Sequence, residues 1–182
     1  MLGQLLEDFK KFLDVTGNEY DDILKLILKF SEGFIFETYG VAILERSLED
    51  TVSPKYGGSS VYTPYGYISG VSELSVDGNV LVPATDCFFK RNKVVITNTQ
   101  VTVTLSSKID LKYTVGYSDI NVVPSGLLVA LYILGKKVWN DSTKDTDTLS
   151  RVSIDIKEGI STSDDIPTVA KQALEAHRVY RL

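Results

Sequence analysis

The residues best equipped for chemistry in this chain are few and dispersed. His177 is the single histidine and Cys87 the single cysteine. A thiol–imidazole nucleophile needs both groups within reach, with a third to orient the base. His177 instead falls on the apolar stripe of a C-terminal helical pattern, three residues before Tyr180, the place of a packed structural histidine. Cys87 precedes Phe88-Phe89 in a strand-like context and reads as a small buried hydrophobe. One Cys and one His cannot assemble the ligand set of a typical zinc site, so neither a metal nor a cofactor is expected.

The remaining motifs fail on spacing. Gly66-Tyr67-Ile68-Ser69-Gly70 sets its serine one position away from a nucleophile elbow. Gly135-Lys136-Lys137 lacks both the earlier glycine and the hydroxyl of a phosphate loop; its lysines suit the C-terminal end of a helix dipole. Glu7-Asp8, Asp21-Asp22 and Asp164-Asp165 lie near helix ends, where capping and solvation account for paired carboxylates. Asn140-Asp141-Ser142 fits a glycosylation sequon without a secretory context. The expectation is a protein that is not an enzyme.

With 182 residues, 43% of them hydrophobic, the chain can build one good core. A net charge of −5 gives no basic footprint for tight nucleic-acid binding, which needs clustered Lys and Arg, and it does not exclude a surface that DNA merely passes. A lone cysteine excludes an intrachain disulfide and suits a reducing compartment. Glu7 and Asp8 interrupt the N-terminal apolar pattern, so no signal peptide is expected. No apolar run approaches the ~20 residues that span a bilayer, so a soluble, cytosolic protein without a membrane partner is expected.

The elements that must carry these residues follow from hydrophobic period. Leu2, Leu5, Leu6, Phe9, Phe12 and Leu13 share one helical face, predicting a helix over about 2–14 with Gly17 as its left-handed stop. Asn18 is placed to cap a second helix over about 18–39, apolar over most of its circumference and ended by Gly40. From about 41 to 117 the period shortens to that of an antiparallel β-insertion. Val41–Leu48 is ambiguous between strand and helix. Val71–Val82 reads as two strands joined at Asp77-Gly78, followed by strands at Lys93–Ile96, Val101–Leu105 and Ile109–Val115.

Pro124 suits the first position of a central buried helix over about 123–140, apolar on all sides from Leu127 to Leu134. Asn140–Ser150 has the composition of a polar loop. Val152, Ile154 and Ile156 then alternate with polar residues as a lone strand, which must rejoin the sheet or pair with another subunit. Asp164 or Asp165 and Pro167 open a terminal helix with apolar positions at Ile166, Ala170, Ala173, Leu174 and Tyr180. The fold class is therefore α+β. One domain, 1–182, holds a helical core of three to four helices, an inserted antiparallel β-unit and a C-terminal strand-plus-helix extension over about 151–182.

Tyrosine is abundant, and Tyr56, Tyr62, Tyr65 and Tyr67 fall together in a loop rich in glycine and proline over 48–67. Such a loop suits protein contact, because tyrosine supplies large amphipathic area at small entropic cost. The alternative is a loop tucked onto its own β-unit.

Taken in order, these pieces resemble the head–tail connector family of tailed bacteriophages, also called head-completion or DNA-packaging adaptor proteins. The resemblance covers nearly the whole chain. It rests on the two N-terminal helices, the phrase Ile68-Ser69-Gly70-Val71-Ser72-Glu73-Leu74-Ser75-Val76-Asp77-Gly78, and Leu111-Lys112-Tyr113-Thr114-Val115-Gly116-Tyr117 running into Val123-Pro124 and the buried helix. It implies a structural virion protein of the neck. Copies would form a homo-oligomeric ring, dodecameric in relatives, beneath the portal protein. That ring would extend the DNA channel and offer a platform to stopper or tail-completion proteins, with DNA passing free of sequence-specific binding. The C-terminal segment, through Ile154, Ile156, Val179, Tyr180 and Leu182, is the expected contact with the portal or an adjacent subunit. The competing expectations are another neck or tail ring component, a stopper or tail terminator, and a small non-enzymatic binding domain.

Overall fold

The computed structural model describes residues 1–54, 58–143 and 166–179. They form an α+β protein divided into two compact units. One comprises Met1–Tyr39 with Asp119–Arg178, the other Gly40–Ser118 with Val179–Leu182.

The first unit is helical. Helix α1 (Leu2–Leu13) buries Leu5, Leu6, Phe9 and also Lys10, and exposes Gln4, Glu7 and Lys11. It ends earlier than the glycine rule expects. Asp14, not Gly17, takes the left-handed conformation (φ 58°), which a short polar side chain tolerates, and the Val15 N–H donates to the Lys10 carbonyl at 3.0 Å. Gly17 also has positive φ but lies in the following loop.

Helix α2 runs Asp21–Tyr39, three residues shorter at its start than Asn18 suggests. The Asn18 side chain is otherwise engaged, accepting from Lys10 Nζ at 3.1 Å. Lys10 also donates to Asp21 Oδ1 at 2.8 Å, which ties the end of α1 to the start of α2. Gly40, with φ 70°, ends α2 as expected.

Helix α4 (Ser125–Thr143) buries Leu127, Ala130, Leu131, Leu134 and Val138 and packs against α2 and α1. Pro124 stands one position before it rather than inside it. Its carbonyl accepts from the Leu127 and Leu128 N–H groups at 2.9 and 3.3 Å. Lys136 and Lys137 lie inside α4, well before Thr143, so they do not complement its C-terminal dipole. Lys136 Nζ instead sits 5.5 Å from the Phe12 ring centre.

Helix α5 (Thr168–His177) closes the unit, with Ala170 and Leu174 buried and Ile166 buried just before it. His177 is half-buried near Gly126 of α4, in the packed position its apolar stripe suggests.

The second unit holds two antiparallel sheets. Strands β1 (Arg46–Val52), β3 (Ile68–Val76), β4 (Asn79–Leu81) and β7 (Ile109–Val115) form a sheet ordered β1-β7-β3-β4. Strands β2 (Ser60–Tyr62), β5 (Cys87–Lys90) and β6 (Lys93–Ile96) form another, ordered β2-β6-β5. A four-residue helix α3 (Pro83–Asp86) joins β4 to β5.

Central strand β7 follows the expected period, burying Ile109, Leu111, Tyr113 and Val115. Asp77 and Gly78 take φ 50° and 83°, so both central residues of the β3–β4 turn are left-handed, as that dipeptide predicts. The ambiguous Val41–Leu48 stretch makes two isolated bridges, Val41 to Gly66 and Leu44 to Tyr117, and passes into strand β1 at Arg46. Val101–Leu105 is not a strand. It alternates as one should, but it joins no ladder; the Thr104 N–H bonds Ser107 Oγ at 3.0 Å in a turn, and Leu105 is exposed.

Candidate functional site

One face of the four-stranded sheet carries several charges, and they pair with one another across the strands. Lys112 on β7 reaches Glu73 on β3 at 2.9 Å and Glu49 on β1 at 3.9 Å. These are cross-strand neighbours, the sheet counterpart of helical ion pairs. Asp110 accepts from Thr51 Oγ1 at 2.6 Å, and this bond, helped by Lys108, holds its carboxyl below the usual range. The shallow hollow over these strands, about 280 Å³, is lined by groups already committed to one another. A second hollow of about 360 Å³ lies by the β3–β4 turn. Its one carboxylate, Asp77, accepts the Lys108 N–H at 2.7 Å and so serves the turn.

Buried polar groups are likewise structural. The Tyr113 hydroxyl donates to Asp50 at 2.5 Å, and burial, reinforced by that carboxylate, pushes the phenol far above its ordinary value. Burial also pushes the Cys87 thiol up, and Asp86 adds to the shift. A thiolate is disfavoured there, contrary to what a nucleophile needs. Among the described residues no group of three or more His, Cys, Asp or Glu could hold a metal, and no helix is long and apolar enough to cross a membrane.

The expected contact residues separate into different settings. Tyr62 is exposed on β2, whereas Tyr65 and Tyr67 are half-buried. The Tyr67 ring lies 5.5 Å from that of Tyr117, so this part of the loop packs on its own β-unit. Tyr56 lies outside the described residues, as do Ile154, Ile156, Tyr180 and Leu182. Val179 is described and is half-buried within the second unit. A Cβ on Gly66 would stand 2.2 Å from Val179 Cγ2, so that glycine makes the room in which the side chain sits.

The β5–β6 hairpin is a surface the sequence reading passed over. Its register sets Tyr62, Lys93 and Lys90 in one row across β2, β6 and β5, with Ser60, Val95 and Phe88 in the next row of the same face. Phe88 is 55% exposed, and Phe89 on the opposite face is partly exposed. Arg91 occupies the turn with φ 57°. A signal was present in the sequence: from Cys87 to Ile109 there is no Asp or Glu, while Lys90, Arg91, Lys93 and Lys108 all fall there.

The comparisons with known proteins bear on the fold. A chain from the neck of an empty gene transfer agent particle, reconstructed with sixfold symmetry, superposes with TM-score 0.65 at 15% identity, covering 97% of this chain and 90% of that one. The neck of the native particle, reconstructed with twelvefold symmetry, gives 0.62 at 12% identity over 97% and 89%. A chain from the virion of the native particle gives 0.56 at 13% identity over 84% and 87%. The protein has the fold of virion neck proteins. At such identities the likeness is one of fold. No family model matches the sequence, and no curated protein matches it.

Proposed function

We propose that this protein is a head–tail connector, a non-enzymatic component of the virion neck. Copies form a ring, twelve in number, beneath the portal protein. The ring extends the DNA channel and gives stopper or tail-completion proteins their docking platform after packaging. Assembly begins in the host cytoplasm. The observation that carries this reading is the likeness of fold, over 97% of the chain, to chains of particle necks reconstructed with sixfold and twelvefold symmetry. Two features support it. The polar clusters of the β-unit are spent on holding strands together, leaving surfaces rather than chemistry. The net charge of −5 suits a channel through which a polyanion must pass without being retained.

The C-terminal segment is the proposed contact with the portal or a neighbouring subunit, through Ile154, Ile156, Tyr180 and Leu182. Val179 is the one described residue of this set, seated against Gly40 and Gly66 of the β-unit. Because Ile166, Ala170 and Leu174 are core residues, removing everything after Ile166 would damage the fold itself. The better test is Ile154→Asp with Ile156→Asp, alongside a chain ending at Val179. Both variants should keep the wild-type circular dichroism spectrum and lose co-sedimentation with purified portal. Retained co-sedimentation of both would reject this contact.

A further inference from the structure

The β5–β6 hairpin tip holds three cations with no ion-pair partner among the described residues. Among the described residues, Lys10, Lys11, Lys25, Lys108, Lys112 and Arg178 each have a carboxylate within ion-pair distance. Lys90, Arg91 and Lys93 have none, as is also true of Lys29, Lys136 and Lys171, but only these three stand together on one turn; the Tyr62 ring lies 5.8 Å from Lys93 Nζ. Lys90 and Lys93 stand directly opposite each other on the ladder, an arrangement that destabilises a hairpin when the charges are alike. Arg91 takes the left-handed turn position where Gly or Asn is the less strained choice. Neither feature helps the hairpin fold.

The tip is nevertheless firmly held. The Arg91 carbonyl accepts from the Ile68 N–H at 2.8 Å, and the Asn92 carbonyl accepts from the Thr63 N–H at 2.9 Å and from Thr63 Oγ1 at 3.2 Å. Fixed, uncompensated cations on a hairpin tip fit a polyanion. The residue types favour phosphate over protein carboxylates, since lysine is depleted in protein–protein interfaces but is a standard phosphate contact.

We propose that Lys90, Arg91 and Lys93 form a phosphate-contacting tip that touches the backbone of duplex DNA without reading its sequence. The inference rests on the connector reading, in which DNA passes the protein, and it names the element that meets it. In a ring every copy contributes one such tip. Each is weak alone, so the channel can guide DNA without retaining it.

The test is amide NMR of the full chain titrated with a short mixed-sequence DNA duplex at low salt, with poly-glutamate titrated in parallel. Shifts confined to residues 60–62 and 88–95 are expected. Three phosphate contacts imply that affinity falls about 40-fold between 50 and 200 mM salt. Replacing all three with glutamine should abolish the shifts while the rest of the spectrum reports an intact fold. Lys29→Gln, on the exposed side of α2, should change nothing. Three results would overturn the proposal: DNA shifts absent or mapped elsewhere, a triple variant that binds as the wild type does, or a response to poly-glutamate without one to DNA. A chain that rings the portal yet leaves the hairpin unmoved by DNA would reject this inference alone.

Discussion

Lys10 shows how a charged side chain can serve a helical core. It is only 6% exposed, and its ammonium is held by Asp21 and Asn18 at the α1–α2 junction. The bond to Asp21, against the opposing effect of burial, holds its pKa above 10.5. A group whose pKa rises on folding stabilises the fold fully below its unfolded value and ceases to do so as pH climbs past the folded one. The Lys10 contribution should thus be intact at neutral pH and lost only above about pH 10.5. Lys10→Met should lower the melting temperature at pH 7, and the gap from wild type should narrow in strong alkali. The buried tyrosines act in the same window. Burial pushes the Tyr132 phenol up to about 12. Between pH 10 and 12 the unfolded chain loses that proton while the folded one keeps it, so stability falls. Phenolate absorbance should show exposed tyrosines titrating first and the buried ones ionising together with loss of circular dichroism. The Tyr132 hydroxyl has no hydrogen-bond partner among the described residues. Tyr132→Phe should therefore be neutral, or stabilising by up to about 1 kcal/mol in urea unfolding.

Among the elements, α4 depends on a close approach. Gly135 admits the fully buried Phe9 of α1, since an added Cβ would stand 2.7 Å from Phe9 Cζ. Gly135→Val should cost about 1–3 kcal/mol of stability in urea unfolding, because overpacking outweighs the gain in helix propensity. Such contacts are invisible in a sequence, whereas the helix carrying them is plain from its unbroken apolar run. The same division holds elsewhere. Asp77-Gly78 and the alternation of β7 were readable because local sterics and one buried face dictate them. Val101–Leu105 misled because alternation says which face is apolar, not whether a neighbouring strand offers hydrogen bonds. Gly17 misled because Asp14 tolerates the same backbone conformation one turn sooner. The cationic hairpin went unseen because net charge averages over the whole chain, while recognition is local. Only the pairing of β2, β6 and β5 sets Lys90 and Lys93 beside each other.

For the whole molecule, ring formation imposes its own logic. A closed cyclic ring needs two different surfaces on each copy, one fitting the other on its neighbour. Exposed apolar residues outside both cores, Val80 and Phe88 in the β-unit and Leu26 and Val169 in the helical unit, are available to such contacts. A ring formed on a portal template need not persist without it, so the isolated chain can be monomeric and still be a connector. The decisive measurement is negative-stain electron microscopy of the purified protein with and without its portal, followed by rotational averaging of end-on views. A continuous ring of added density with twelve repeats at the tail-facing end of the portal is the expected result. Portal particles that gain no density at saturating protein, or that gain it as unordered single copies, would contradict a connector role.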